Sequence, residues 1–520
     1  MISHKMCGIW ASIGVASDKD LLHGLKQLKA RGPEGTSFRD VSGSTLGFTR
    51  LAINGLNHAG MQPMQHGSTT WICNGEIYNW RALAAEYGLT SESGSDCEII
   101  GALYNRFLEL EMPLGAVFRA LDGVFAMVIV DEARDQIIVA RDPYGVRPLY
   151  SCVTPQAHFY ASELKALPEG LWNPVYPGSY HTYRLSTGGL EQIIGYHTVP
   201  VYKQPILNSV ELACCSIRTA LESAVKKRMM TERPVAALLS GGLDSSLIAS
   251  LLAKGLREAG APPLKTFSIG MPGSSDLEHA RIVADWIGSD HTEVVLSADE
   301  FFDAIHEVIY AIESYDTTTV RASVGNWLVG RAIRETECKV VFNGDGADEV
   351  WGSYLYFYKA PSDAAYEEEV TRLLQDIHYF DVLRSDRCIS SHGLEPRTPY
   401  LDREFVAAAR SIPTALRRPG PDRCEKWLIR QAFNDSVTLP KKVLFRRKEA
   451  FSDGVSGDRA WYEIAQEKAG VLGYTEKEYY RKIYEGMFGD QAVNVPYLWM
   501  PKWSNATDPS ARTLDLYSVV

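Results

Sequence analysis

Two kinds of hydrophobic patterning divide this chain. From Cys7 to about Tyr202, apolar residues come in short runs broken by Gly, Pro and Asn, as in Leu121-Asp122-Gly123-Val124-Phe125-Ala126-Met127-Val128-Ile129-Val130 and Gln136-Ile137-Ile138-Val139-Ala140. Runs of this length between turn residues predict β-strands, and this part reads as a layered, β-rich domain. After Leu207 the pattern alternates. Strand-like runs at 235–239, 265–269, 292–296 and 338–342 are separated by stretches of helical period, among them 247–252 and 277–287. Strands alternating with helices predict a parallel, doubly wound sheet, so the chain as a whole is α/β. The segment from Pro200 to Leu207 carries two prolines and little periodicity. It is the expected linker, with domains at 7–202 and 208–520.

Ligands of doubly wound sheets bind outside the carboxyl ends of the strands, and two turns stand there. The first is Ser240-Gly241-Gly242-Leu243-Asp244-Ser245-Ser246, directly after a strand and opening a helix. Such a turn aims several backbone N–H groups at one point, and its glycines let an anion approach without Cβ obstruction. A loop that transfers a γ-phosphate carries Gly-Lys-Ser/Thr, and no lysine stands here. Ser240, Ser245, Ser246 and the N–H groups suit a pyrophosphate leaving group, with Asp244 available for Mg2+. On the motif alone, a plain Ser/Gly-rich turn remains the alternative. The second turn is acidic, at 343–349. The cradle resembles the ATP-pyrophosphatase (PP-loop) family, whose members activate a carboxylate as an acyl-adenylate and release pyrophosphate.

Composition narrows the classes further. The 520 residues are 45% hydrophobic, enough for large cores and a globular enzyme. A formal net charge of -11 argues against broad nucleic-acid binding, which rests on Lys and Arg neutralising phosphates. Nine cysteines, odd in number and without a Cys-x-x-Cys array, fit a reducing compartment better than a disulfide framework or zinc site. No apolar stretch reaches the roughly 18 residues of a membrane span, and the residues before Cys7 are too short for a secretory signal. The expected location is the cytoplasm, with no membrane partner. Homodimerisation is left open.

Cys7 follows Met6, and a free α-amine on Cys7 would serve as general base for its own thiol. This reading requires that Met1 to Met6 be absent from the working protein. A structural role for Cys7 is the alternative until its context is counted. The segments Arg31-Gly32-Pro33, Arg50-Leu51-Ala52-Ile53, Cys73-Asn74-Gly75-Glu76-Ile77-Tyr78-Asn79 and Gly94-Ser95-Asp96 resemble the class II glutamine amidotransferase family, which has a layered αββα N-terminal-nucleophile fold. The Asn74 amide and the Gly75 N–H are donors suited to an oxyanion. Arg50 is a fork for the glutamine α-carboxylate, while Glu76 and Asp96 suit its α-ammonium. The resemblance also brings Leu51, Ile53 and Asn54 to the glutamine.

From Cys7 to nearly the end, the chain resembles the glutamine-hydrolysing asparagine synthetase family. The resemblance rests on Tyr315 to Ser323, Gly344-Asp345-Gly346-Ala347-Asp348-Glu349, Asp381-Val382-Leu383-Arg384, Arg397 to Asp402, Lys448 to Gly454, and the C-terminal stretches Trp499 to Trp503 and Asn505 to Thr513. It implies ATP as substrate, Mg2+ held by Asp244 and Asp348, and Lys448 neutralising charge on the α-phosphate. Leu239, Ile269, Leu243 and Gly344 join the cradle residues in the ATP site. Thr318, Arg321, Asp381 and Arg384 are the implied aspartate contacts, and Asp345 the acceptor of ammonia's surplus proton. The expected reaction gives asparagine and glutamate.

Five positions depart from the family. Ala30 and Glu34 flank Arg31-Gly32-Pro33 where His and Asp are usual. Gly55 follows Asn54 where an acidic residue is usual, Asp345 replaces Glu, and Ser353 replaces Gly. Two other readings compete: a related synthetase with a different acceptor, such as a β-lactam-forming or peptide-amidating enzyme, and a catalytically dead amino-acid binding protein. Cys7 together with the aspartate-contacting stretch speaks against the first. The intact Cys7, cradle, Asp348 and Lys448 speak against the second.

Overall fold

A computed structural model describes residues 7–202, 206–457, 459–489, 491, 495 and 498–515. Met1 to Met6, on which the free-amine expectation bears, and residues 203–205 of the expected linker lie outside them. The chain forms two compact units. The first comprises Met1–Thr198 with Met230–Pro234 and Ser390–Glu395; the second comprises Val199–Met229, Val235–Ile389 and Pro396–Val520.

In the first unit, two six-stranded antiparallel sheets lie face to face. One contains Gly8–Gly14 between Ala157–Ala161 and Ser44–Arg50. The other places Gly123–Asp131 between Gln136–Arg141 and Thr69–Ile77. The near-continuous apolar run at 124–130 has a direct explanation in strand geometry, where successive side chains point to opposite faces. Ala126, Val128 and Val130 meet Ile9, Ala11, Ile13, Leu46 and Phe48 in the layer joining the sheets. Phe125, Met127 and Ile129 point the other way, into a core shared with helices Ile99–Glu109 and Gly115–Ala120. Helix Asp18–Leu28 covers the outer face of the first sheet, where Gly24 leaves room for the ring of Trp10. Helix, sheet, sheet, helix is the expected αββα order.

The second unit holds the parallel sheet. Strands Asp290–Val295, Lys265–Gly270, Val235–Leu238 and Val340–Phe342 lie side by side in that order, each pairing parallel to its neighbour. The chain therefore moves outward from Val235–Leu238 in one direction and later returns to its other side. That reversal opens a crevice at the carboxyl ends of Val235–Leu238 and Val340–Phe342. Both turns singled out in the sequence emerge there. Helix Leu243–Glu258 begins four residues before the periodic run starting at Leu247, because the polar Asp244-Ser245-Ser246 forms its first turn.

Candidate active sites

In the first unit, Cys7 leads into strand Gly8–Gly14, and its partly buried Sγ lies 3.3 Å from both the N–H and the carbonyl oxygen of Leu51. Burial pushes the thiol up to about 12, against the backbone contact at Leu51; Arg50 pulls it down, and Glu395 and Glu76 push it up. At neutral pH it is a thiol, so a nucleophilic role needs a base. Asn74 sits on strand Thr69–Ile77 opposite Ala126, with the same parity as Ile72, and so faces the layer between the sheets against which Cys7 also packs. Its amide nitrogen and oxygen are both buried without a hydrogen-bond partner. A buried, unpaired amide is costly, and a ligand that hydrogen-bonds it recovers that cost.

The other residues expected at glutamine are held by local bonds. Arg50 donates to the carbonyls of Asn57, at 2.7 Å, and Gly55. Asn54 Nδ2 donates to Glu76 at 2.8 Å, and the Ile77 N–H donates to Asp96 at 2.7 Å. Leu51 and Ile53 are buried beside them. Two of the departures, Glu34 and Gly55, have structural counterparts. Glu34 accepts from the Ala52 N–H and from Arg233, tying the stretch after Arg50 in place. Gly55 has φ +59, a Cβ there would meet Ser95 N at 2.5 Å, and its N–H donates to Glu232. No larger side chain fits that turn unstrained.

In the second unit, the crevice is a cavity of about 240 Å³. Its floor is the cradle. Ser240 and Ser245 hydroxyls lie 3.0 Å apart, the Ser240 N–H donates to Ser245 Oγ, and the Gly242 N–H donates to Ser240 Oγ. Gly241 has φ +68, and Gly344 is forced by proximity: a Cβ on it would meet Ser245 N at 2.8 Å. The acidic turn thus rests directly on the cradle.

Carboxylates and cations alternate across the cavity. Lys426 Nζ lies 2.5 Å from both Asp244 Oδ2 and Asp348 Oδ1, and Lys448 bonds the other oxygen of Asp348. Although burial opposes it, these ammonium groups hold the Asp348 carboxyl far below the usual carboxylate range. Asp345 behaves oppositely. Burial pushes its carboxyl up to about 6, with Arg384 pulling down and Asp381 adding to the rise. Arg384 Nη2 bonds Asp345 Oδ1 at 2.9 Å and also contacts Asp381, while the second Asp345 oxygen is buried without a partner. A carboxyl near 6 with an open oxygen is poised to take a proton near neutral pH.

Among the described residues, no group of three or more His, Cys, Asp or Glu converges as a metal cage. The donor set instead suits Mg2+, which takes one or two carboxylates and fills its remaining positions with phosphate oxygens and water. Asp244 and Asp348 converge on one point, and Asp244 Oδ1 is buried with no partner.

A family model described as asparagine synthase matches residues 216–370 and 360–504, and one described as a glutamine amidotransferase domain matches 6–192. The chain is 40% identical to the glutamine-hydrolyzing asparagine synthetase of Gallus gallus and 40% identical to that of Homo sapiens, covering 98% of this chain and 99% of each relative. The chain belongs to the asparagine synthetase family. Among solved structures, a glutamine phosphoribosylpyrophosphate amidotransferase from B. subtilis covers 56% of this chain at 16% identity and TM-score 0.34, a likeness too slight to bear on function.

Within this family framework, most residues singled out in the sequence meet in the cavity. Leu239, Ser240, Gly242, Leu243, Asp244, Ser245, Ile269, Thr318, Gly344, Asp345, Asp348, Asp381, Arg384 and Lys448 line it. Gly241 and Ser246 shape the cradle from behind. Arg321 departs from its expected place. Its buried guanidinium gives four of its five N–H groups to Glu476 and, at 2.7 and 2.8 Å, to Asp508. The local motif does not announce these partners, because both carboxylates lie more than 150 residues away in the chain. The cavity also gains Lys426, Arg446, Arg447 and Trp499, which sequence reasoning missed. Lys426 sits in Cys424-Glu425-Lys426-Trp427, where neither spacing nor composition marks a site.

Proposed function

We propose that this chain makes asparagine from aspartate, ATP and ammonia released from glutamine. In the first unit the Cys7 thiol, deprotonated by its own α-amine once Met1 to Met6 are absent, attacks the glutamine amide carbon. The developing oxyanion is taken by the Asn74 amide and the Gly75 N–H, ammonia leaves, and water releases glutamate from the thioester. Arg50 and the acidic pair Glu76 and Asp96 hold the glutamine α-groups.

In the second unit the aspartate β-carboxylate attacks the α-phosphorus of ATP, forming β-aspartyl-AMP and pyrophosphate. Ser240, Ser245 and the cradle N–H groups receive the pyrophosphate. Lys448 faces the α-phosphate. Asp244 and Asp348 would hold Mg2+, which when bound neutralises phosphate charge. Asp381, Arg384 and Thr318 orient aspartate. Ammonia then attacks the β-carbonyl, AMP leaves, and Asp345 takes the surplus proton. We place the reaction in the cytoplasm, where cysteines persist as thiols; no described helix is long and apolar enough to cross a membrane.

One observation carries the reading: a cradle without a P-loop lysine faces two carboxylates and two ammonium groups at the switch point of a parallel sheet. The test supplies aspartate and ATP with either glutamine or ammonium and measures asparagine, AMP and pyrophosphate. Formation of ADP and phosphate in their place would overturn adenylation.

A further inference from the structure

Lys448 lies in the stretch 446–450, which has no regular secondary structure. What places it must therefore come from side chains around it. Its neighbour Glu449 is gripped from two directions. On the cradle side, Glu449 Oε2 accepts from Ser275 Oγ at 2.9 Å and from Arg446 at 3.2 Å, and Arg446 itself reaches Asp276 and the Ser240 carbonyl. On the other side, Glu449 Oε1 accepts from Arg512 Nη2 at 3.0 Å. The same Arg512 nitrogen donates to the Asp453 carbonyl at 3.0 Å, and Ser510 Oγ donates to the Asp453 carboxylate at 3.1 Å.

The C-terminal segment bearing Arg512 is itself anchored. Asp508 takes both terminal nitrogens of Arg321, and upstream the Trp499 N–H donates to Asp316 at 2.8 Å. Asp316 caps the helix Thr317–Arg334 that carries Thr318. The segment from Trp499 to Thr513 thus runs as a strap from the aspartate side of the cavity to the loop of Lys448. This also accounts for Arg321, which serves the strap.

We infer that Arg512 is a positioning residue for aspartate activation, acting through Glu449 and Asp453 to hold Lys448 at the α-phosphate. The inference rests on the role proposed above for Lys448. Its physical basis is that a reacting group displaced by about 1 Å can cost on the order of 10²-fold in rate, whereas substrate affinity, set by other residues, stays.

The experiment uses the full chain and measures aspartate-dependent pyrophosphate release over a range of aspartate and ATP, with glutamine hydrolysis and melting temperature recorded on the same samples. Arg512→Ala should lower kcat for pyrophosphate release by roughly 10–100-fold, with KM for aspartate within about threefold and glutamine hydrolysis unchanged. Arg512→Lys, which keeps a cation for Glu449 on a shorter side chain without the planar fork, should recover part of the loss. Glu449→Gln keeps the shape and weakens the grip, and should fall on the same side. A wild-type kcat in both Arg512→Ala and Glu449→Gln, while Lys448→Ala is inactive, would overturn the inference. So would a loss in Arg512→Ala that tracks a lowered melting temperature and is absent from Glu449→Gln. Wild-type pyrophosphate release by Lys448→Ala would remove the assignment of Lys448, and the role of Arg512 with it.

Discussion

The two units treat the polar groups of their sites in opposite ways. In the first, one neutral amide stands unpaired while the charged groups around it are held by local bonds: both atoms of the Asn74 amide are buried without partners, Arg50 donates to backbone carbonyls, Glu76 and Asp96 accept hydrogen bonds, and burial pushes the Cys7 thiol up. In the second, the charges neutralise one another, with Lys426 bridging Asp244 and Asp348, and Arg384 bridging Asp345 and Asp381. The difference follows from the charge each site must handle. A neutral amide can wait unpaired at a cost of about 1–3 kcal/mol, whereas an unpaired buried charge costs several kcal/mol more. A neutral amide can therefore be left open, while a site dense in charge holds its cations on internal carboxylates.

The sharpest break of this comparison removes the one covalent nucleophile. Cys7→Ala should abolish glutamine-supported asparagine formation, a loss on the order of 10⁴-fold or more, while ammonium-supported formation persists; paired assays with the two nitrogen sources check it. Loss of both activities in a folded protein would mean that the units are not chemically separable.

Asp345 tests the charged site. Asp345→Asn should slow asparagine formation by roughly 10²–10⁴-fold and leave aspartate-dependent pyrophosphate exchange largely intact, since the cradle and Asp348 are spared. If exchange and amidation fell together, Asp345 would belong to the frame around ATP and not to proton transfer.

The unpaired amide is the counterpart in the first unit. Asn74→Ala should lower kcat for glutamine hydrolysis by about 10²–10³-fold, the share of one oxyanion donor, with ammonium-supported synthesis unchanged. A change confined to KM would assign Asn74 to ground-state binding instead.

The smallest effect is one of pH. Burial raises Asp345 from the ordinary carboxylate range to about 6, so the base is ionised above that value and is lost as pH falls through it. Ammonium-supported synthesis, measured at constant free ammonia, should decline about tenfold per unit below pH 6. Asp345→Asn should lose this inflection. A wild-type profile flat down to pH 5 would contradict the raised carboxyl.

Local chemistry made much of this legible. The β-rich first unit could be read from short apolar runs, because a strand buried on both faces has little choice but to be hydrophobic throughout, and its αββα layering from the family resemblance. The cradle could be read because its residues are consecutive. The entry of Met230–Pro234 and Ser390–Glu395 into the first unit could not be read, since neither segment differs in pattern from its surroundings. Lys426 and Arg512 escaped for the same reason, each being one cation among many until its partners are seen.

By itself, then, the sequence determined the two fold types, the order of the sites along the chain and the chemistry of each motif, all of which depend on residues within a few positions of one another. Tertiary structure alone decided which charges meet. It placed Lys426 between Asp244 and Asp348, 182 and 78 residues distant, paired Arg321 with Glu476 and Asp508, and brought Arg512 to the neighbour of Lys448. Coulomb interactions act over a few ångströms of space whatever the separation in chain, and burial strengthens them. The partner of a buried charge is therefore settled only when the fold is closed around it.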